Sequence, residues 1–468
     1  MSLKFSSKTL KKLTTLLTLI FLGYLFSTIL PPKGLDQEQW TLLIVFISTI
    51  VALILNLLPM GVIMLASTLI CVLTDIINIE KALNGFSSNV VWLVIMAFFI
   101  AKAIIKSNLA KRVSYYIISY MGNSILGLSY SLILTEFLLS PTIPSATARS
   151  GGLVFPIAKS MSDQFHENNN VRPFLMQSCF QANVICSAMF LTAMAGNPLI
   201  MQIAGKLGVS MTWKLWALGG IIPGVINLLF IPLFLYKIIK PKSENKQTII
   251  LAKKALASMG SITKNEIIVA CVFILLITMW IFSEQLNIHS TTTAIAGFLI
   301  LILTKVISWE DAITESGAWN TFIWFGLFIT LSNSLSASGI TEWIGHNAQN
   351  LFTSLNPTFA LPLCIIVFFY LHYFFASITV FASVLYGTFF FILIYLNISP
   401  FLSAMMLAYL SNISGGLSHY TISSAPIFFT GSKLTLKKWL RLCLLASSAN
   451  LLIWTTIGLS WWKFIGWW

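Results

Sequence analysis

An eleven-residue phrase occurs twice in this chain. Leu73-Thr74-Asp75-Ile76-Ile77-Asn78-Ile79-Glu80-Lys81-Ala82-Leu83 returns as Leu303-Thr304-Lys305-Val306-Ile307-Ser308-Trp309-Glu310-Asp311-Ala312-Ile313, shifted by 230 residues (73 to 303). The Leu, Thr, second Ile, Glu and Ala positions are identical. The register extends upstream, where Ala66, Leu69 and Ile70 match Ala296, Leu299 and Ile300. Downstream, Ser145-Ala146-Thr147 meets Ser377-Ile378-Thr379 at a shift of 232 (145 to 377). A duplication of this size restricts the fold to two copies of one plan.

The plan belongs in a membrane. Hydrophobic residues make up 57% of the chain and charged residues 9%, too little charge to cover a soluble protein of this length. Apolar stretches long enough to cross a bilayer recur from end to end, for example Leu42–Leu58, Val90–Ile105 and Leu440–Leu459. They are continuous rather than alternating, which argues for helices and against a β-barrel. The fold expected is an all-α polytopic membrane protein of two inverted repeats. It has about eleven transmembrane helices, two re-entrant hairpins and two broken helices. Internal repeats in a chain this apolar are how many secondary transporters are built, with the substrate held where the repeats meet.

The net charge of +14 suggests nucleic acid, but its distribution argues otherwise. Lys and Arg gather in short connecting segments, at Lys4–Lys12, Lys106–Arg112, Lys237–Lys264 and Lys433–Arg441. That is the positive-inside pattern of cytoplasmic loops, so no nucleic-acid partner is expected. The basic N-terminus leads into an apolar run with no clear cleavage site, read as a retained first helix with a cytoplasmic N-terminus. The six cysteines show no metal or disulfide spacing and read as thiols.

This orientation divides the chain. Residues 1–122 hold the first spans and a surface arm (107–122). Residues 123–236 hold the first hairpin, a broken helix and a span. Residues 237–264 form a basic cytoplasmic loop. Residues 265–352 repeat the spans and arm (337–352), and 353–468 repeat the hairpin, broken helix and last span. The apolar stretch 125–158 is interrupted by Pro141-Thr142-Ile143-Pro144, which disfavours one continuous helix and suggests a re-entrant hairpin. The second hairpin is expected over 358–392. Pro173–Ile203 is expected to break at Gly196-Asn197-Pro198, and 401–430 at Ser414-Gly415-Gly416.

Both hairpins carry Ser-X-Thr at or near the turn. A turn between half-helices leaves backbone N–H groups unsatisfied, and the N-terminus of a half-helix is electropositive. Hydroxyls there cap the half-helices or donate to an anion; their presence at equivalent places in both repeats favours an anion site. The expected substrate-binding residues are Ser145, Ala146, Thr147, Asn197, Pro198, Ser377, Ile378, Thr379, Gly415 and Ser418. Candidate cation ligands are Ser145, Gly196, Ser377 and Gly415. Glu136 and Arg149 lie at equal distances from the middle of the Thr142–Ile143 turn and are expected to form an ion pair bracing the hairpin. Their counterparts at a shift of 232 are Phe368 and Phe381, an apolar pair. Of five histidines, His372 and His419 flank the site and read as structural; His166, His289 and His346 form no ligand set with them.

The stretch Ser-Ala-Thr-Ala-Arg-Ser-Gly-Gly (145–152), with Phe155-Pro156-Ile157, resembles the Ser-Asn-Thr hairpin of the divalent anion–sodium symporter family. Phe180-Gln181-Ala182-Asn183 and Ser187 through Pro198 resemble the broken helix of that family's exchanger branch, the 2-oxoglutarate/malate translocators and citrate/succinate antiporters. His372 through Ser377, Leu417-Ser418-His419-Tyr420 and Ala425-Pro426-Ile427 are similar to its second hairpin and broken helix. The resemblance implies dicarboxylate exchange, a homodimer, and a scaffold holding a transport domain that moves like an elevator, here in a bacterial inner or plasma membrane. Ala146 and Ile378 stand in the middle of the two tripeptides. Neither offers a side-chain amide, which leans toward exchange without an obligatory sodium requirement. Alternatives are a sodium-coupled di- or tricarboxylate importer and an inorganic oxyanion carrier. An enzyme is not expected, because no paired carboxylates, nucleophile dyad or metal ligands recur in the spans, and no cofactor is expected.

Overall fold

The computed structural model of the protein describes residues 7–55, 57–165, 169–242, 247–340, 343 and 357–468. All regular structure among them is helical. The first half runs α1 (Ser7–Ser27), α2 (Gln37–Ile54), α3 (Met60–Leu73), the short α4 (Ile79–Leu83), α5 (Asn89–Lys106) and α6 (Leu109–Met121). Next, α7 (Ile125–Leu139) and α8 (Phe155–Ser162) flank a turn and a π-helical stretch, Thr147–Val154. Then come α9 (Val171–Met189), α10 (Gly196–Lys206), α11 (Trp213–Ile239) and α12 (Gln247–Ser258). The second half holds α13 (Lys264–Ile281), α14 (Ser283–Leu286), α15 (Ser290–Leu303), α16 (Trp309–Ile313) and α17 (Ser316–Ala337). It ends with α18 (Pro357–Leu371), α19 (Ile378–Tyr395), α20 (Pro400–Ile413), α21 (Ala425–Ser432), α22 (Leu436–Ile453) and α23 (Leu459–Phe464).

Among the described residues, six helical runs are long and apolar enough to span a bilayer: α2, α5, α11, α13, α19 and the continuous α22–α23. Their outward faces carry bare apolar side chains such as Leu229, Ile274 and Leu452, which is the surface a lipid-facing helix presents. The chain is an integral membrane protein.

The repeated phrase folds the same way twice. α3 and α15 each have 14 residues, and each leads to a helix of five residues, α4 or α16. Between them the chain turns through Asp75 at φ 56° in one copy and Lys305 at φ 60° in the other. Asn78 caps α4 by accepting from Lys81 N–H, and Ser308 caps α16 by accepting from Asp311 N–H. Side-chain oxygens at these positions satisfy donors that a helix start leaves free. The copies pack crosswise, α3 against α17 and α15 against α5. The approach is close near Gly85, whose N–H donates to Thr330 Oγ1 at 2.9 Å. A Cβ there would fall 1.8 Å from the Gly326 carbonyl oxygen.

The basic segments find partners. Lys102 pairs with Glu315 at 3.0 Å, Lys106 with Asp311 at 2.5 Å and Arg112 with Glu266 at 2.6 Å. Arg112 also donates to the carbonyls of Met259, Gly260 and Ser261. Lys106 and the Ser308 N–H together hold the Asp311 carboxyl down to about 2. Arg172 pairs with Asp163 at 2.7 Å. The expected surface arm 107–122 is the amphipathic α6, which packs against both α12 and α7. Most of the second arm, 337–352, lies outside the described residues, as do His166 and His346.

Two expected break positions shift. The first broken helix does not part at Gly196-Asn197-Pro198. α9 ends at Met189, Phe190 and Met194 are extended, and α10 starts at Gly196. A proline in the first turn of a helix forfeits no hydrogen bond, because the N–H it lacks has no intrahelical acceptor there. Pro198 therefore opens α10 instead of breaking a helix. The second break starts at Ser414 as expected but continues to Ser424, where α21 begins with Pro426 in its first turn. The first hairpin turns over 140–146, and its return arm is π-helical before it becomes α8.

Candidate functional site

Four interruptions of helical structure meet at one place. The hairpin 1 turn is fastened to the first break, because Ala195 N–H donates to the Pro144 carbonyl at 3.0 Å and Thr192 Oγ1 donates to the Pro141 carbonyl. Its return arm touches the second break through Thr147 Oγ1 and Ser423 Oγ, 2.6 Å apart. A Cβ on Gly151 would lie 2.6 Å from Ile427 Cδ1. The second hairpin reaches both breaks. His372 Nδ1 lies 2.6 Å from Ser414 Oγ. A Cβ at Gly415 would come 2.8 Å from Ile378 Cδ1, and one at Gly196 would come 3.3 Å from Thr379 Oγ1. The breaks join each other through Asn412 Nδ2 and Asn197 Oδ1 at 2.7 Å.

Helical segments start at this junction from four directions, at Thr147, Gly196, Ile378 and Ala425. Each start is a positive dipole end, though several first-turn N–H groups are taken locally: Ala148 by Ser145 Oγ, Asn197 by the Met194 carbonyl, and Ala425 and Ile427 by the carbonyls of Ile422 and Ser424. Such an arrangement attracts an anion without a free cationic side chain. Arg149, the cation closest in sequence to the hairpin 1 turn, is already neutralised: its Nε lies 2.7 Å from Glu136 Oε1, and both side chains are fully buried. Its other nitrogens donate to the carbonyls of Ile143 and Ala193 and to Ser187 Oγ. At the corresponding place in the second hairpin, the Phe368 and Phe381 rings stand 4.8 Å apart, with His372 stacked on Phe381 at 4.4 Å.

The residues expected to bind substrate divide by exposure. Ser145, Thr147 and Ser377 are half-buried, the first two on the first hairpin and the third on the second. Ser145 Oγ also accepts from Ala148 N–H at 3.1 Å, the capping bond a hydroxyl makes at a helix start. Ser377 precedes α19 and makes no capping bond. Thr379 is buried against Gly196. Ala146 is buried, and Ile378 fills the space over Gly415. Asn197 corrects an expectation: its side chain is not on offer to a ligand. Both amide hydrogens are taken by the carbonyls of Ser187 and Phe190, and its oxygen by Asn412. Pro198 is buried in the first turn of α10, and Ser418 is buried with its N–H on Thr421 Oγ1. Of the candidate cation ligands, Gly196 and Gly415 are both buried and each is approached by the start of α19, while Ser145 and Ser377 sit at the two turns. Among the described residues no three His, Cys, Asp or Glu side chains cluster as metal ligands.

Sequence reasoning met Asn183 and Ser187 only within the family resemblance, with no role, and missed Asn412 and Ser424. All are fully buried and hydrogen-bonded around the junction. The signal was available, because amide side chains inside apolar runs need partners. Asn183 and Asn412 lie 229 residues apart (183 to 412), close to the repeat shift.

Comparison with known proteins agrees with this architecture. Solved structures of the YdaH transporter of Alcanivorax borkumensis (TM-score 0.55, 12% identity, 99% of both chains) and MtrF of Neisseria gonorrhoeae (TM-score 0.58, 11% identity, 98% of this chain and 96% of that one) share the fold. In sequence, the chain is 38% identical over 465 residues to YflS of Bacillus subtilis (strain 168), a candidate malate transporter by name, covering 98% of this chain and 97% of that one. It is 37% identical over 463 residues to the chloroplastic dicarboxylate transporter 1 of Arabidopsis thaliana, covering 97% and 83%. The family model for the sodium:sulfate symporter transmembrane region matches residues 10–468. The chain belongs to that family, the divalent anion–sodium symporters.

Proposed function

We propose that the protein is an antiporter exchanging small dicarboxylates of the 2-oxoglutarate, malate and succinate type. The observation that carries this is the junction itself: four helix starts and two Ser-X-Thr segments converge where Arg149, beside the hairpin 1 turn in sequence, is already neutralised. Dipoles and hydroxyls hold a dianion weakly enough to release it on the far side. The names of YflS and of the chloroplastic transporter support the same substrate class.

The movement proposed is elevator-like. Two inverted repeats, with about eleven spans and two re-entrant hairpins, supply a scaffold (1–122 and 265–352) and a transport unit (123–236 and 353–468) joined by the basic segment 237–264. The unit carries the junction across a homodimer's scaffold, with the N-terminus in the cytoplasm and the protein in the plasma membrane. Counterflow into proteoliposomes loaded with malate, 2-oxoglutarate, succinate or citrate tests the exchange. Labelled malate enters only against an internal dicarboxylate, with or without sodium. Uptake that ignores the internal load rules exchange out. Ser145→Ala and Thr379→Ala each lower transport at normal expression; normal transport in both removes the proposed site. The family description favours one second reading, sodium-coupled import. It is selected if external sodium alone drives uptake into empty vesicles.

A further inference from the structure

The second break, residues 414–424, is gripped at both ends by the other half of the chain. At its start, Asn412 Nδ2 donates to Asn197 Oδ1 at 2.7 Å, across 215 residues of sequence. At its end, Ser424 Oγ donates to Asn183 Oδ1 at 2.8 Å, across 241 residues. All four side chains are fully buried.

Both grips lead to one root. Asn183 Nδ2 donates to Glu136 Oε1 at 2.7 Å. Asn197 Nδ2 donates to the Ser187 carbonyl at 2.8 Å, and the Ser187 hydroxyl accepts from Arg149 Nη2 at 3.0 Å. The Glu136–Arg149 pair is therefore the middle of a continuous buried chain of polar contacts whose two ends hold the two ends of the second break. Glu136 Oε2 and Asn412 Oδ1 have no partner in this network; its remaining contacts hold it in place, because losing one leaves a further buried polar group unpaired. The break carries the Ser423 hydroxyl, 2.6 Å from Thr147 Oγ1 on the first hairpin. Its span fixes how far its hydroxyls stand from those of the second hairpin, and that distance must match the separation of a ligand's two carboxylates.

We propose that Asn183 and Asn412 are positioning residues that set the span of the second break and so the chain length of dicarboxylate the site accepts. The proposal rests on the dicarboxylate reading above. Neither residue touches substrate; each acts by holding backbone.

The test uses the full-length protein in proteoliposomes with malonate, succinate, glutarate and adipate as competing loads. Asn412→Ala and Ser424→Ala raise KM for the preferred length about tenfold, the loss of one buried hydrogen bond's alignment. They raise it less for the other lengths, so selectivity flattens while the maximal rate stays within about twofold. Ser424→Thr keeps the hydroxyl and restores both KM and selectivity. An equal shift for every length, or a fall in rate at unchanged KM, overturns the proposal. Wild-type protein that exchanges no dicarboxylate at any load overturns the functional reading instead. The positioning role is then judged by amide hydrogen exchange on the purified protein: residues 414–424 exchange faster in Ser424→Ala than in wild type and Ser424→Thr, and equal rates in all three overturn it.

Discussion

Removing one partner of the Glu136–Arg149 pair isolates a charge in the middle of the membrane protein. Both side chains are fully buried, and the contact is 2.7 Å. Breaking a buried pair from one side destabilises by about 3–5 kcal/mol, mostly because the surviving charge has no compensation. Glu136→Gln keeps the shape and can still accept from Asn183, so it belongs at the low end of that range. Arg149→Met belongs beyond the high end. It strands the carboxylate and also leaves the carbonyls of Ile143 and Ala193 without their donors, each adding roughly 1 kcal/mol. The double variant Glu136→Gln/Arg149→Met leaves no isolated charge and is therefore more stable than Arg149→Met alone. With an unfolding entropy near 2 cal/mol/K per residue, a loss of 3–5 kcal/mol lowers the melting temperature of a chain this long by about 3–5 °C. Thermal melting in detergent, followed by size-exclusion recovery, ranks the three variants. If the effects of the two single changes simply add in the double variant, the pair is not coupled and the reasoning fails.

Other expectations follow from separate places in the fold. The Asp311 carboxyl is held down to about 2 from an ordinary 3.8 by Lys106 and by the Ser308 N–H. Its contribution to stability is complete above 3.8 and is lost as the pH falls toward 2; Asp311→Asn flattens the melting profile across that interval, and an unchanged profile refutes the assignment. Gly415→Ala places a methyl 2.8 Å from Ile378 Cδ1. Because that atom is the free end of a side chain, the change displaces Ile378 and raises substrate KM while the protein still folds, as a transport assay beside a melting curve shows. Gly85→Ala meets backbone instead, 1.8 Å from the Gly326 oxygen, and lowers the yield of folded protein sharply in a fluorescence-detected chromatogram. Lys206 of α10 contacts Asn333 of α17. With the exposed Cys271 replaced by Ser, a Lys206→Cys/Asn333→Cys crosslink stops exchange and reduction restores it; full activity while crosslinked excludes the elevator movement.

The all-helical architecture was legible because hydropathy and proline placement act locally. Pro141 and Pro144 ended α7 where a helix could not continue, and the twice-used phrase adopted one conformation in both places. The Glu136–Arg149 contact followed from counting residues on either side of a turn. What the sequence could not show was which side chains the turns and breaks would spend on each other. Asn197 looked like a ligand for substrate because its sequence neighbours loosen a helix. In three dimensions it closes the carbonyl end of α9, and that need arises only once α9 stops at Met189. Asn183 and Asn412 were hidden for a related reason: their partners lie more than 200 residues away.

The five ion pairs named above have a common placement. Lys102–Glu315, Lys106–Asp311 and Arg112–Glu266 join segments of the proposed scaffold; Glu136–Arg149 and Arg172–Asp163 join segments of the proposed transport unit. None of them bridges the two. Where the parts meet, the contacts include α6 on α7, α10 on α5, α2 on α19, the Lys206–Asn333 hydrogen bond, and the Trp213 ring stacked on Trp280 at 5.8 Å. Such a seam is mostly apolar, with the Lys206–Asn333 bond as a polar tie and none of the five ion pairs. Its friction comes from side-chain repacking and lipid viscosity, so the speed of the stroke should respond to acyl-chain order and hardly at all to ionic strength.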